Sequence, residues 1–199
     1  MNSDLPATHL LYLHGFRSSP RSAKAQAMAR AVAARYPAVH WWCPQLPPSP
    51  REAAALIEAG IAGWPRERMA VVGSSLGGFY ATWVAARTGC RAVLLNPAVH
   101  PERDLQKYIG EQTAWHDPQE RFFFRAGFVD ELRALQAGPL PRPERAMAVI
   151  AKGDEVLDWR EMTARYPDSR VRLIEGGDHA ISDFETAHLE AVLAFLDLA

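Results

Sequence analysis

Val71-Val72-Gly73-Ser74-Ser75-Leu76-Gly77-Gly78-Phe79-Tyr80 is an apolar run that stops at a small-residue turn and restarts as an amphipathic segment. The pattern predicts a strand, a sharp turn and a helix, with Ser75 at the apex. Gly73 and Gly77 bracket the serine as Gly-x-Ser-x-Gly, removing side chains that would clash where the chain reverses so tightly. Such a turn thrusts the Ser75 hydroxyl out of the top of a sheet. It also aims the N-terminus of the next helix at any charge that develops beside the hydroxyl. A serine hydroxyl alone is a poor nucleophile, so chemistry at Ser75 requires a base, an orienting acid and amide donors from elsewhere in the chain.

On either side of this stretch, strand-like and helix-like segments alternate. His9-Leu10-Leu11-Tyr12-Leu13 is a continuous apolar run of the kind covered on both faces, ending at His14-Gly15-Phe16. Ser19-Pro20 reads as a helix N-cap and first position, followed by an alanine-rich helix over Ser22–Arg35 that Pro37 closes. Val39–Cys43 is a short strand, and Ser49-Pro50-Arg51-Glu52 has the spacing of a capping box that opens a helix to about Ala62. The strand Arg68–Gly73 leads into the Ser75 turn, and the helix beyond runs to Arg87 with Gly89 as its stop. Further strands are expected at Arg91–Asn96, Ala146–Ala151 and Arg170–Glu175, with helices from Asp158 to Tyr166 and from Asp183 to about Leu198. Residues 98–143 are too many for an ordinary connection and carry Trp115, Phe122, Phe123, Phe124 and Phe128. They read as a small helical, lid-like insertion within one domain spanning 1–199.

With 199 residues, 48% of them hydrophobic and 10% aromatic, the chain can bury a full core. A net charge of −1 gives no excess for a phosphate backbone or an anionic membrane surface, so neither nucleic acid nor membrane is expected as a partner. Cys43 lies beside Trp41-Trp42 and Cys90 opens an apolar run, which suggests buried thiols in a reducing compartment. Met1–Pro6 has no basic segment followed by an apolar one, and no apolar run approaches a membrane span. A cytoplasmic location is the expectation.

About six strands alternating with helices predict a mostly parallel sheet with helices on both faces, and ligands of such sheets sit outside the carboxyl ends of the strands. Those exits carry His14-Gly15-Phe16, then Ser75, then Lys152-Gly153-Asp154-Glu155, then Gly176-Gly177-Asp178-His179. The order serine, acid, histidine along the chain matches one known arrangement of a hydrolytic triad.

The segments Leu11-Tyr12-Leu13-His14-Gly15-Phe16, Gly73-Ser74-Ser75-Leu76-Gly77-Gly78, Leu95-Asn96-Pro97-Ala98, Gly153-Asp154-Glu155-Val156-Leu157-Asp158 and Gly177-Asp178-His179 resemble the α/β-hydrolase superfamily. Within it they resemble the small bacterial esterases of the YqiA/YcfP type. The resemblance implies a three-layer α/β-hydrolase fold and a compact enzyme acting on short- to medium-chain acyl esters or on acyl thioesters such as acyl-CoA, without a cofactor. It also implies that the leading antiparallel hairpin of larger members is absent. In the roles so implied, Ser75 is the nucleophile, His179 the base and Asp154 the acid, with the backbone amides of Phe16 and Leu76 as oxyanion donors. His14, Gly15, Gly73 and Gly77 support the site.

Several residues compete for these roles. Asp158, four residues beyond Asp154, is the rival acid, although it also fits a helix cap. His14 is the rival base and is read as shaping the oxyanion loop. His40, inside a strand, is read as core, and His100, His116 and His188 as loop or surface residues. Asp178 is read as stabilising its own loop. Arg121 and Arg125 around Phe122-Phe123-Phe124 read as solvated charges on a hydrophobic lid rather than as a nucleotide platform. No histidine and cysteine spacing resembles a metal site. The leading expectation is a serine esterase. An acyl-CoA thioesterase and a non-catalytic binding protein that keeps the fold are the alternatives.

Overall fold

The computed structural model describes residues 5–115, 117 and 119–199. His116 and most of the Met1–Pro6 stretch considered above lie outside the described residues. The elements run β1 (His9–Leu13), α1 (Ala23–Arg35), β2 (His40–Trp42), α2 (Pro50–Ile61), β3 (Met69–Ser74), α3 (Leu76–Thr88) and β4 (Arg91–Leu95). After them come α4 (Pro101–Asp104), β5 (Gly110–Thr113), β6 (Arg121–Phe124), α5 (Gly127–Ala134), β7 (Ala146–Ala151), α6 (Trp159–Arg165), β8 (Arg170–Ile174) and α7 (Leu189–Leu196). The main sheet has the order β2-β1-β3-β4-β7-β8, and each neighbouring pair is parallel.

Alternation along the strands builds a core on each face. Leu11, Leu13, Val71, Leu94, Ala148 and Ile150 pack with residues of α2, α3 and α6 on one side. Leu10, Tyr12, Val72, Val93, Leu95 and Val149 pack with α1 and α7 on the other. With both faces covered, successive residues of a central strand are all apolar, which is why β1, β3 and β7 read as unbroken hydrophobic runs. The sheet order reverses between β1 and β3, so the crevice at the carboxyl ends of those two strands is where a ligand site forms.

The turn after β3 depends on close backbone approach. A Cβ on Gly77 would sit 1.9 Å from the Leu13 carbonyl oxygen, and one on Gly73 would sit 2.1 Å from that of Gly77. Both obstacles are backbone and cannot swing away. Every residue from Leu76 to Ala85 is buried, because α3 lies between the sheet and the 98–143 segment. Gly89 ends that helix in the left-handed conformation, with its N–H on the Ala85 carbonyl.

Some expectations are corrected. Helix α1 begins at Ala23 with Ser22 as its N-cap, not at Ser19-Pro20, because the buried Ser19 hydroxyl is taken up by the Arg21 N–H in a preceding turn. The segment 98–143 is not simply helical: β5 and β6 form an antiparallel pair between its short helices. In it Phe124 is buried, Phe123 points outward and Arg121 pairs with Glu111. The last helix opens as a wide π-turn over Phe184–His188 before becoming α-helical at Leu189. His40 is exposed at the start of edge strand β2, stacked edge-on to Trp64. His188 is buried instead, with Nε2 3.3 Å from Asp183 Oδ1. Among the described residues, no antiparallel strand joins the main sheet. None of their helices is long and apolar enough to cross a membrane.

The backbone clash makes Gly77→Ala the most damaging small substitution in the turn. It should lower stability by about 3 kcal/mol or more, read as a lower urea midpoint with an unchanged slope. Cys90 is buried as expected and Cys43 only half-buried; desolvation pushes the Cys90 thiol up to about 11 and the Cys43 thiol up to about 12. Both free thiols should therefore react with a disulfide reagent at pH 8 far more slowly in native than in unfolded protein, since the thiolate is the reacting form.

Candidate active site

Ser75 occupies the apex of the β3–α3 turn with φ 56° and ψ −120°, a region costly for a residue with a side chain. Its backbone is anchored on both sides. The Ser75 N–H donates to the Leu95 carbonyl at 3.0 Å, and the Ser75 carbonyl accepts from Gly78 at 2.8 Å and Ala98 at 3.0 Å. The hydroxyl is thereby fixed at the strand ends, facing the loop after β8.

That loop brings His179 to it. His179 Nε2 lies 3.0 Å from Ser75 Oγ, and its Nδ1 lies 2.8 Å from Asp154 Oδ2. The Asp154 side chain is fully buried, and its other oxygen, Oδ1, accepts the N–H groups of Val156 and Leu157 at 2.8 Å each. A carboxylate held in this way acts as an acceptor, so His179 donates from Nδ1 and presents an unprotonated Nε2 to the serine hydroxyl. Asp158 does not reach the histidine. It caps α6 by accepting from the Arg160 N–H.

The amides of Phe16 and Leu76 flank the serine turn from β1 and α3. Among the described residues neither N–H is taken by a hydrogen bond. For Leu76 this follows from its place as the first residue of a helix, whose N–H has no partner within it. Gly15 lets the β1 loop pass close to the serine: a Cβ there would sit 3.2 Å from Ser75 Cβ. His14 is buried and structural. Its Nε2 accepts the Leu46 N–H at 3.0 Å, which leaves Nδ1 to donate to the Gly15 carbonyl at 2.9 Å.

Residues that the sequence reading did not assign hold the histidine loop. Asn96 is completely buried with φ 40°. Its Nδ2 donates to the carbonyls of Asp178 and His179 at 3.0 and 3.1 Å, while its Oδ1 accepts the Ala151 N–H at 2.8 Å. Glu155 accepts the His179 N–H at 3.0 Å, and Lys24 Nζ donates to the Ala180 carbonyl. Burial pushes the Lys24 ammonium down to about 8, against the pull of Asp178 and Asp154. Asp178 points away from the site and holds its own loop, accepting from the N–H and hydroxyl of Ser182, which keep its carboxyl below the usual range. The position of Asn96 between a strand and Pro97 carried a usable signal, since asparagine tolerates positive φ at strand ends. Lys24, inside a helix far off in sequence, carried none.

A cavity of about 140 Å³ opens at Ser75 and His179. Its walls come from the loop after β1 (Phe16), from α3 (Leu76), from the loop after β7 (Leu157), and from Leu105, Tyr108 and Trp115 of the 98–143 segment.

The sequence matches an uncharacterised protein family, UPF0227, over residues 9–197. The chain belongs to the UPF0227 family. A UPF0227 protein of Shewanella sp. (strain ANA-3) is 32% identical over 127 residues, which is 63% of each chain. A UPF0227 protein of Yersinia pseudotuberculosis (serotype O:1b, strain IP 31758) is 23% identical over 71% of this chain and 72% of its own length. The fold of this chain is that of α/β hydrolases. A putative hydrolase from Agrobacterium vitis S4 superposes with a TM-score of 0.74 at 17% identity, covering 96% of this chain and 91% of that one. Mouse alpha/beta hydrolase domain-containing protein 10 gives 0.69 at 17%, covering 94% and 88%. Est1E from Butyrivibrio proteoclasticus, with ferulic acid bound, gives 0.66 at 16%, covering 98% and 88%.

Asn96→Ala would strand the buried Ala151 N–H and two carbonyls of the histidine loop and place alanine at a positive φ. It should destabilise the fold by at least about 3 kcal/mol, measured by chemical denaturation. Asn96→Asp, which keeps only the acceptor half of the side chain, should fall between it and wild type.

Proposed function

We propose that this protein is a serine hydrolase of short- to medium-chain carboxylic esters, working through an acyl-enzyme. The observation that carries the reading is the continuous hydrogen-bonded line from Ser75 Oγ through the His179 ring to the buried Asp154 carboxylate, at 3.0 and 2.8 Å. It lies beside the uncommitted amides of Phe16 and Leu76.

In this mechanism Ser75 Oγ attacks the acyl carbonyl as its proton passes to His179 Nε2. The Asp154 carboxylate stabilises the imidazolium and keeps the ring in the tautomer that accepts. The negative tetrahedral oxygen is met by the Phe16 and Leu76 N–H groups and by the positive end of α3. Collapse breaks the bond to the leaving oxygen, which takes the proton from Nε2, and leaves the acyl group on Ser75. Water then repeats the cycle, giving its proton to His179 and releasing the carboxylic acid and free serine. The 98–143 segment acts as the lid that excludes water and selects the acyl group, since it furnishes Leu105, Tyr108 and Trp115 to the cavity wall. A cytoplasmic setting is part of the reading, supported by the unpaired state of Cys43 and Cys90. Solved proteins of this fold include a Pyrococcus furiosus esterase with a TM-score of 0.63 at 15% identity. At that distance the likeness concerns fold, and the functional reading rests on this chain's own residues.

A fluorophosphonate probe should form an adduct located by mass spectrometry at Ser75, and the protein should hydrolyse p-nitrophenyl acetate. Ser75→Ala and His179→Ala should each lower kcat by at least about 10³-fold, and Asp154→Asn by on the order of 10³- to 10⁴-fold, with folding intact. No adduct and no turnover in folded protein would leave a non-catalytic binding protein. Turnover confined to acyl-CoAs would make it a thioesterase.

A further inference from the structure

Beyond the cavity that contains Ser75 and His179 lies a second one of about 320 Å³, with His14, Leu46, Pro47, Tyr80, Ala114 and Phe122 in its wall. It contains none of the reacting side chains, so it is not a separate centre of this chemistry. Phe16, Arg17 and Leu76 belong to the walls of both cavities. The Phe16 ring stands between them. Its centroid is 5.5 Å from that of Tyr108 in the first wall and 5.8 Å, edge-on, from that of Phe122 in the second. A third ring, that of the fully buried Phe124, supports it at 5.3 Å. Phe16 itself is only half-buried, held by ring contacts and not locked in the core.

We propose that the Phe16 side chain sets acyl-chain length, closing off the second cavity as an extension for longer, unbranched acyl chains. The inference rests on the esterase reading above. The leaving oxygen must lie beside His179 Nε2 to receive its proton, so the arm of the substrate free to run along Phe16 and Leu76 is the acyl arm. The first cavity, at about 140 Å³, holds roughly four or five groups the size of a water or methylene. Within the short- to medium-chain range proposed above, this cavity by itself favours the short end. With the ring removed, the second cavity adds room for roughly ten more such groups; Leu46, Pro47, Tyr80 and Phe122 give it an apolar wall, with Gln45 and Glu120 also on its lining.

The test compares kcat/KM for p-nitrophenyl acetate, butyrate, octanoate and decanoate in wild type, Phe16→Ala, Phe16→Leu and the double variant Phe16→Ala/Ala114→Trp. Ratios between substrates are the readout, because the Phe16 amide also serves the oxyanion and absolute rates can fall. Wild type should lose at least about tenfold from butyrate to octanoate. Phe16→Ala should raise the octanoate-to-butyrate ratio at least about tenfold, since each further methylene buried is worth about fourfold. Refilling the second cavity with Ala114→Trp, from a residue now buried in its wall, should return the short-chain preference. An unchanged ratio in both Phe16 variants, or a wild type that already prefers octanoate, would overturn the proposal. So would a Phe16→Ala variant that relaxes tolerance for longer alcohols in butyrate esters and not for longer acyl groups. Failure of the esterase reading is seen separately, as absence of probe labelling and of turnover on every ester. In that event calorimetric binding of butyrate and octanoate to Ser75→Ala, with and without Phe16→Ala, reads the partition directly, and equal octanoate affinity in the two would refute it.

Discussion

The structure turns on a serine held where its backbone does not want to be. Ser75 at φ 56° is tolerable only because its N–H and carbonyl are tied to Leu95, Gly78 and Ala98. The ties to Leu95 and Ala98 exist because β4 and the chain after it run alongside β3, and the tie to Gly78 comes from the first turn of α3. The anchoring also needs α3 to start almost in contact with the end of β1, an approach that Gly77 permits at the Leu13 carbonyl. Strain at one residue is thus offset by hydrogen bonds and close packing drawn from three strands. The geometry of the hydroxyl belongs to the sheet and not to the turn alone.

A second constraint acts on the histidine. Its ring contacts Ser75 and Asp154, but its backbone is positioned by the Asn96 amide at the end of β4 and the Glu155 carboxylate after β7, and the Lys24 ammonium on α1 holds the carbonyl of the next residue, Ala180. Each bond is worth little by itself. Together they restrict a loop that would otherwise sample many conformations and so hold the His179 ring at a fixed distance from Ser75. Asn96 also accepts the Ala151 N–H at the end of β7, so the strand that leads to Asp154 and the loop that carries His179 are referred to one frame.

Much of this was legible in the residues. Unbroken apolar runs at Leu10–Leu13, Met69–Gly73 and Ala146–Ala151 read as strands because a sheet covered on both faces leaves no polar side. Ser49-Pro50 and Gly89 marked helix ends through local backbone chemistry that operates wherever such residues occur. Local rules also misled. Ser19-Pro20 looked like a helix start, yet the Ser19 hydroxyl serves a turn. His40 looked like core because strand interiors usually are, but its strand is at the sheet edge and its side chain is exposed. His188 looked peripheral and is buried by the π-turn that opens the last helix. The antiparallel pair inside 98–143 had short polar and aromatic strands without clear alternation, and only their pairing defines them.

The sequence by itself determined the order of strands and helices, the tight turn at Ser75, and the set of polar residues waiting at the strand exits, because these follow from periodicity, glycine sterics and capping. Tertiary structure alone decided which of Asp154 and Asp158 meets His179, that Asn96, Glu155 and Lys24 hold the histidine loop, and that Phe16 stands between two cavities. Such outcomes depend on distances between segments more than a hundred residues apart in some cases, as with Ser75 and His179. Packing of the sheet and its covering helices fixes those distances, and no local pattern encodes them.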